Sequence, residues 1–406
     1  MRVRRAKFFA CAAIAVAFAG LSAPVHAETL RAEVGKPLAK AEALMNAHNY
    51  AGALAQVRTA SAARGLTAEE SFVIEELRGS IAQHMGDNVT AAKVYADLLA
   101  SGRTSPSQQA LLLKAETSLA FNAKNYPAAI GWIQRSLKAN PNDATMRTQL
   151  ITAYYLNKDY VNAGKLQAIQ VAATVRAGQR PTEEQLQLLA ACQRASGDTQ
   201  GFGATMIQLV TYYPKPDYWQ NLIHSAQTRP GFSDRLTLDI DRFEMAIGLQ
   251  KTPDDLMEMV ELALQVPLPG EAKAIIDNAY TANILGTGPG AARQQRLRDL
   301  VNRTYDSEQK TLAGREAEAQ ASHDGNLLVA LGEEYASYQQ YPKGIALMQA
   351  GLAKGGLRHP DDTRLHLGLA LLRAGQKPRA MQVLKTVDGH EGASDVARLW
   401  MMLGHA

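Results

Sequence analysis

A short pattern that recurs through the chain constrains the fold more than any other feature. A polar turn is followed by an aromatic or polar residue, and then by a helical run with a small residue in its first turn, as in Asn125–Ala129 (NYPAA). Equivalent positions in these runs are 53, 91, 129, 163, 202, 272, 344 and 380. Adjacent copies lie 34 to 39 residues apart, and the two wider gaps, 70 and 72 residues, are close to two repeat lengths. A period of this length is typical of a repeat architecture.

Each repeat is predicted to be a pair of helices. Leu328, Leu331 and Tyr335 keep helical spacing before one of the turns, and Ile345 and Met348 keep it after the turn. Glycines inside such runs favour a close approach of two helices, because a glycine in a helix otherwise costs about 1 kcal/mol relative to alanine. Period-two alternation is hard to find. The sequence therefore predicts an all-α solenoid of stacked antiparallel helix pairs, with roughly nine or ten pairs.

These units resemble the tetratricopeptide repeat. The order Leu-Gly, aromatic residue, Gly-Asp-Tyr-like turn, Ala, Leu, Pro is carried by the following residues: Asn125, Tyr126, Ala129, Leu137, Pro141, Leu331, Gly332, Tyr335, Tyr341, Leu352, Leu367, Gly368, Gly375 and Ala380. The resemblance covers most of the chain and is weak from about residue 233 to 327, where only Ala272 and Ile276 keep the pattern. It implies a right-handed superhelix whose concave groove holds peptides or helices.

The resemblance also implies which residues line that groove. Carrying the repeat pattern onto this chain gives eight residues on the inner helices: Lys114, Ser118, Phe121, Thr148, Thr152, Tyr155, Gln187 and Arg194. Only Lys114 and Arg194 among them are basic. The Lys/Arg/Asn clamp with which some family members grip a C-terminal carboxylate is therefore not expected here. A groove of Thr, Gln and Tyr suits hydrogen bonding to an extended or helical segment.

The first 27 residues have the pattern of a secretory signal peptide cut after Ala27: basic residues, an apolar run and a small-residue end. The apolar run from Phe8 to Leu21 is 14 residues long, whereas a membrane-spanning helix needs about 20. We therefore predict a periplasmic protein that is not integral to the membrane once the signal is removed.

Charge and cysteine content narrow the function further. The sequence has 43 Lys+Arg and 39 Asp+Glu, and four of the basic residues belong to the predicted signal, which leaves 39 of each sign. A balanced chain gives no support for binding nucleic acid. Outside the signal only Cys192 remains, so no internal disulfide is expected, and its helical setting favours a buried, inert thiol.

Several motifs that might carry chemistry are better interpreted as structure. The Gly286–Gly290 stretch (GTGPG) follows no predicted strand, so we predict a loop between helices. His359 and His366 lie near Asp361 and Asp362, but their spacing crosses a helix start, and Asp362 or Thr363 is predicted to cap that helix. We predict no catalytic residues, no metal and no cofactor. The aromatic segment Tyr212–Trp219 suggests either a recognition patch or rings that cover a neighbouring core, and we favour the second.

Four segments are predicted. They are a signal peptide (1–27), an N-terminal repeat array (28–230), degenerate helical repeats with a long charged helix over Ala291–Gln320 (231–324), and C-terminal repeats (325–406). The chain also resembles exported proteobacterial tetratricopeptide proteins, some encoded beside TonB–ExbB–ExbD systems, in Tyr212–Leu222 (YYPKPDYWQNL) and in its last unit.

The expected function is that of a periplasmic scaffold for protein or peptide partners of the cell envelope, within a transport or energy-transduction system. Two alternatives stay open. An enzyme or accessory protein acting on cell-wall glycans would need converging Glu and Asp side chains in the middle region. A soluble ligand-binding protein would need an enclosed apolar cavity.

Overall fold

A computed structural model describes residues 30–249 and 251–405 of the protein. The predicted signal peptide lies outside these residues. Twenty α-helices and one 3-10 turn make up their regular structure, and none of the described residues is in a β-strand. The predicted all-α fold of stacked helix pairs, about ten in number, is confirmed. No helix in the described part of the chain is long and apolar enough to cross a membrane.

The chain divides into two compact units. The first contains the residues up to 177 together with Ala191–Gly197, and the second contains Gly178–Ala190 together with the residues from Asp198 onward. Helices of the first unit are α1 (Ala32–Asn46), α2 (Tyr50–Ser61), α3 (Ala68–His84), α4 (Asn88–Ala100), α5 (Pro106–Asn122), α6 (Tyr126–Ala139), α7 (Ala144–Leu156) and α8 (Tyr160–Arg176). Helix α9 (Glu183–Ser196) contributes residues to both units.

The second unit holds the remaining helices. They are α10 (Thr199–Tyr212), α11 (Pro216–Gln227), the 3-10 turn Asp234–Leu236, α12 (Thr237–Ala246), α13 (Pro253–Gln265), α14 (Pro269–Thr281), α15 (Ala291–Ala321), α16 (Asn326–Ser337), α17 (Tyr341–Lys354), α18 (Pro360–Arg373), α19 (Lys377–Leu384) and α20 (Ala393–His405). The predicted segment 231–324 therefore lies in the same unit as 325–406. The long charged helix predicted over Ala291–Gln320 is confirmed as α15.

The recurring polar turn has a specific backbone and side-chain geometry. In the first unit the turn residues His48, Lys124 and Lys158 have positive φ angles of 57°, 55° and 62°. The next residue in each case, such as Asn49 or Asn125, is an N-cap whose side-chain oxygen accepts a hydrogen bond from a backbone N–H three residues on. A cap of this kind stabilises a helix by about 1 kcal/mol. The turn thus reverses the chain and starts the second helix of each pair.

The small residue that follows this turn lies where the two helices of a pair meet. Its side chain is fully buried at Ala53, Ala91, Ala129, Ala163, Ala272 and Ala380, each 0% exposed. At Gly332 and Gly344 the contact is closer still, because a Cβ atom added to Gly332 would lie 2.8 Å from the carbonyl oxygen of Gly344. A close helix crossing therefore explains why the repeat keeps a small residue at this position.

The second unit closes on itself. Its last helix, α20, packs against α10, α11 and α12 as well as against its neighbours α18 and α19. Rings from three helices meet at this closure, where the ring of Phe243 lies edge-on to those of Trp219 and Trp400, with centroids 5.3 and 5.4 Å away. The backbone N–H of Ser233 donates to the carbonyl oxygen of Glu391 at 3.0 Å. Within this unit, α12 is consequently surrounded by helices from distant parts of the sequence.

Candidate functional site

Six of the eight residues predicted to line the partner-binding groove lie on α5 and α7 of the first unit. Lys114, Ser118 and Phe121 are spaced by four and three positions on α5, so they share one face of that helix. Thr148, Thr152 and Tyr155 have the same spacing on α7 and likewise share one face.

This surface, which we name the α5/α7 face, combines charge, hydroxyl groups and rings. Lys114 and Thr148 are exposed, whereas Phe121 and Tyr155 are half-buried. The ring of Phe121 lies edge-on to that of Tyr126, and the ring of Tyr155 lies edge-on to that of Tyr160. Each ring is therefore anchored by the second helix of its own pair and keeps part of its surface open to a partner.

The two threonine hydroxyls of α7 are engaged within the helix. The hydroxyl of Thr148 donates to the carbonyl oxygen of Ala144 at 3.1 Å, and that of Thr152 donates to the carbonyl oxygen of Thr148 at 3.1 Å. Each hydroxyl keeps its lone pairs as acceptors. The ammonium group of Lys114 forms none of the ion pairs found among the described residues. The α5/α7 face thus offers one strong hydrogen-bond donor, the ammonium group of Lys114, and weak acceptors in the hydroxyls of Thr148 and Thr152.

The last two predicted groove residues, both on α9, fall in different units. Gln187 belongs to the second unit, where its side-chain amide donates to Glu183 Oε1 at 3.3 Å and to the hydroxyl of Tyr218. Arg194 belongs to the first unit and is exposed. Gln187 therefore has partners within its own unit already.

The aromatic segment Tyr212–Trp219 covers a core, as we favoured. The side chain of Trp219 is 2% exposed and packs against Phe243. The hydroxyl of Tyr213 donates to the carbonyl oxygen of Pro181 at 2.9 Å, and the guanidinium of Arg180 lies 3.8 Å from the centre of the same ring. These rings hold the turn after α10 in place.

A second concentration of polar side chains lies inside the second unit, between α12, α14, α16 and α18. Arg242 donates through Nη1 to Asp239 Oδ1 at 2.6 Å and through Nε to Glu271 Oε1 at 2.9 Å, and it also pairs with Glu271 Oε2. Arg373 reaches the same carboxylate, with Nη2 2.8 Å from Oε1. We refer to Asp239, Arg242, Glu271, Arg373 and the adjoining His366 and Glu333 as the ion network.

His366 extends the ion network to α16. Its Nε2 lies 3.2 Å from Asp239 Oδ2 and its Nδ1 lies 2.7 Å from Glu333 Oε1. Burial by itself lowers the pKa of His366, but the charges of Asp239 and Glu333 outweigh burial and raise that pKa well above its ordinary value. The imidazole is therefore a cation at neutral pH and bridges two carboxylates.

Two carboxylates of the ion network, Asp239 and Glu271, are held ionised. Burial by itself raises the pKa of Glu271, but the charges of Arg242 and Arg373 outweigh it, so the pKa lies below its usual range. Asp239 behaves in the same way beside His366 and Arg242. A general acid needs a raised pKa and an accessible proton. Asp239 and Glu271 converge in the middle region, as a glycan-cleaving enzyme would require, but both are paired with cations in the ion network.

The helix cap predicted at Asp362 or Thr363 is wrong. Helix α18 begins at Pro360 and its N-cap residue is His359, whose side chain makes no capping hydrogen bond. Asp362 is instead buried in an ion pair with Arg235, and the hydroxyl of Thr363 donates to the carbonyl oxygen of His359 at 3.2 Å. No group of His, Cys, Asp or Glu side chains that could hold a metal ion occurs within the described residues.

Two other motifs behave as predicted. Cys192 is buried, and burial raises the pKa of its thiol to about 11, which makes it unreactive at neutral pH. The Gly286–Gly290 stretch is a loop between α14 and α15, where the backbone N–H of Gly286 donates to Gln294 Oε1 at 2.7 Å.

Sequence reasoning missed the ion network. Asp239 and His366 are 127 positions apart, and Glu271 and Arg373 are 102 positions apart. No local pattern joins residues at such separations. The one available signal was compositional, since Asp239 and Arg242 lie three positions apart on a single face of α12.

Comparison with known proteins gives limited similarity. No family model matches the chain, and no curated protein matches it. Among solved structures, the chain is similar to a tetratricopeptide repeat protein from Parabacteroides merdae, with 11% identity, a TM-score of 0.32, and coverage of 84% of this chain and 99% of that one. It is also similar to the structure of Naa15/Naa10 bound to HypK-THB, with 13% identity, a TM-score of 0.33, and coverage of 90% of this chain and 60% of that one.

Proposed function

We propose that this protein is a scaffold that binds other proteins through the α5/α7 face. The observation that carries the proposal is the arrangement of that face. Two successive first helices each present an exposed polar residue, Lys114 or Thr148, beside a ring that is only half-buried. Partly exposed aromatic rings that pack on one side against their own protein, together with a nearby charged group, are enriched at sites that bind protein segments.

The repeated architecture supports the same function. Consecutive pairs of the first unit pack on one another through α2 and α3, α4 and α5, and α6 and α7. In such an array the first helices of successive pairs line one surface. A surface of this kind matches an extended or helical segment better than it matches a small molecule. The hydroxyls of Thr148 and Thr152, which keep acceptor lone pairs, suit backbone N–H groups of such a segment.

We propose further that the protein acts in the periplasm, with partners in an envelope transport or energy-transduction system. The support for export is the basic, apolar and small-residue pattern of residues 1–27. The support for the partner class is the likeness of Tyr212–Leu222 and of the last unit to exported proteins encoded beside TonB–ExbB–ExbD systems. Fusing residues 1–27 to a reporter that is active only outside the cytoplasm tests the location, and an inactive reporter contradicts it.

The partner proposal is tested by crosslinking the protein in envelope extracts and identifying captured proteins by mass spectrometry. We expect Lys114→Glu and Thr148→Lys, both at exposed positions, to reduce capture of a specific partner at least tenfold. Lys165→Glu is the matched control, because it makes the same charge change at an exposed position of α8, a second helix. Equal capture by all three variants would remove the α5/α7 face from consideration.

A further inference from the structure

A cleft of about 210 Å³ opens in the second unit beside the ion network. Its apolar wall contains Met245, Met259 and Ile275, from α12, α13 and α14. Its polar side contains Arg373, Asn278 and Tyr341. Met245 is 40% exposed, so the cleft presents apolar surface to solvent at its mouth. A concave apolar wall facing a few polar groups is the usual composition of a small-molecule site.

The two arginines at this cleft differ in how far they are engaged. Arg242 has a side chain that is 9% exposed and uses Nε, Nη1 and Nη2 on the carboxylates of Asp239 and Glu271. The side chain of Arg373 is 41% exposed, and its one hydrogen bond within the described residues runs from Nη2 to Glu271. A guanidinium carries five N–H donors. Arg373 therefore has donors left to direct at a ligand in the cleft.

The charge that a ligand can reach at the cleft is positive. The charged residues that line it are Arg242, Arg373 and Glu271. The charges of the two arginines keep Glu271 ionised, and Asp239 also pairs with Arg242, so these four groups together are close to neutral. Arg373 is 41% exposed and the other three at most 9%, so the charge that a ligand can reach is positive. An anionic group is therefore favoured there and a cation is not. A planar carboxylate can accept two parallel hydrogen bonds from the paired N–H groups of a guanidinium, and its apolar body can lie against the apolar wall.

From these contacts we propose that the cleft binds a free monocarboxylic acid with a compact apolar body, its carboxylate held by Arg373 and its body against Met245, Met259 and Ile275. A dry cavity of about 150 Å³ accommodates benzene, so this cleft holds a body of roughly eight non-hydrogen atoms. The site is independent of the α5/α7 face, and either proposal can fail without the other.

The space beside the cleft is small. A neighbouring pocket next to His366, which shares Arg242 and Glu271 with the cleft, has a volume of about 40 Å³. A cavity of that size holds little more than one water molecule. The body of the ligand is therefore confined to the cleft itself.

The test is a titration of the full-length protein with benzoate and hexanoate, followed by calorimetry or by ligand-observed NMR. Benzamide and hexanamide have the same bodies without the charge, and sulfate has charge without an apolar body. We expect the two acids to bind and their amides to bind at least tenfold more weakly. Sulfate is expected to compete weakly. Equal binding of acid and amide, or no binding of either acid, overturns the proposal.

Variants locate the site. Arg373→Gln and Asn278→Asp are expected to weaken benzoate binding at least tenfold, the first by removing the donor and the second by adding a negative charge at an exposed position. Asn278→Asp keeps the test valid if Arg373→Gln fails to fold. Arg379→Gln, at an exposed arginine of α19 outside the cleft, is the matched control and should bind as the parent protein does.

A further titration distinguishes a free acid from the C-terminal carboxylate of a peptide. A short peptide ending in phenylalanine with a free carboxylate is compared with its C-terminal amide. Tight binding of the peptide acid, with no binding of benzoate or hexanoate, would overturn the assignment to a free acid. Benzoate binding that both Arg373→Gln and Asn278→Asp leave unchanged would also overturn it, because the acid would then lie elsewhere.

Discussion

His366 and Asp239 are separated by 127 residues in the sequence, and yet Nε2 of the first lies 3.2 Å from Oδ2 of the second. This contact joins α18 to α12, and the other ring nitrogen of His366 continues it to Glu333 on α16. One protonated imidazole therefore ties together three helices of the second unit. Arg242, Glu271 and Arg373 surround this contact from α12, α14 and α18.

The first prediction is that closure of the second unit depends on pH through His366. Its pKa is raised in the folded protein, so the stabilisation is fully present below the unfolded value of about 6.5 and is lost as pH rises through the folded value. We expect His366→Gln to destabilise α12 and α18 by about 2 kcal/mol at pH 6 and by less at alkaline pH. Amide hydrogen exchange of these helices measures the effect. His390→Gln, at an exposed histidine, is the control, and a loss that does not vary with pH would contradict the prediction.

The second prediction concerns Glu116 in the first unit. Its side chain is 3% exposed, its Oε1 has no hydrogen-bond partner among the residues that the structure describes, and burial raises its pKa to about 7. Because the unfolded state ionises at lower pH, stability falls as pH rises from the unfolded pKa to about 7, and the full penalty applies above it. Glu116→Gln should therefore stabilise this unit by on the order of 2 kcal/mol at pH 8 and have little effect at pH 4.

Urea denaturation at the two pH values measures the effect of Glu116→Gln. Asp97→Asn, at an exposed residue of α4, is the matched control and should change stability little at either pH. A destabilising effect of Glu116→Gln at pH 8 would show that the carboxylate has a partner that compensates its burial.

The third prediction tests the close helix crossing at Gly332. A methyl group there would meet the carbonyl oxygen of Gly344 at 2.8 Å and the backbone nitrogen of Met348 at 2.9 Å. Neither backbone atom can move without shifting α17. Gly332→Ala should therefore destabilise the protein by about 1–3 kcal/mol, despite the better helix propensity of alanine. Gly314→Ala on the exposed side of α15, where a Cβ meets nothing within 4 Å, should instead stabilise by about 0.5–1 kcal/mol. Thermal unfolding of both variants decides the matter, and equal effects would argue against the crossing.

The fourth prediction concerns the ion pair that fastens α20. Arg229 Nη1 lies 2.6 Å from Asp395 Oδ1, and the arginine is mostly exposed. Arg229→Asp should speed amide exchange in α20, and the double variant Arg229→Asp/Asp395→Arg should recover part of the protection. The coupling of an exposed pair is expected to be about 0.5 kcal/mol and to shrink in high salt. No recovery in the double variant would show that the pair is incidental to closure.

The repeat pattern predicted the fold because its causes are local. The N-cap at Asn125 and the buried methyl of Ala129 lie within five residues of each other, and together they fix where a second helix starts and how closely it packs. Helices α6 and α10 end just before Pro141 and Pro214, where a proline cannot continue a helix. Interactions between residues that are close in the sequence can therefore be predicted from the sequence alone.

The closure of the second unit was not predictable in this way. Phe243 and Trp400 look like ordinary core residues of two separate helices, and the sequence around each of them does not predict their contact. The same holds for Arg235 and Asp362, where local reasoning assigned the carboxylate to a helix cap. The cleft beside Arg373 follows from this closure, so it could be found only from the structure. The groove residues on α5 and α7 stay a prediction.

The long-range partners of α12 have a consequence for how the protein is made. Each helix pair of the first unit touches the next pair in the sequence, so this unit can gain structure progressively as the chain emerges from the ribosome. Helix α12 contacts α18 and α20, which are synthesised more than 100 residues later. Until then Phe243, which is fully buried in the complete unit, lacks its contact with Trp400 of α20. Helix α12 is therefore exposed to aggregation until α18 and α20 have been synthesised. A chaperone that binds apolar helices would protect it during that period.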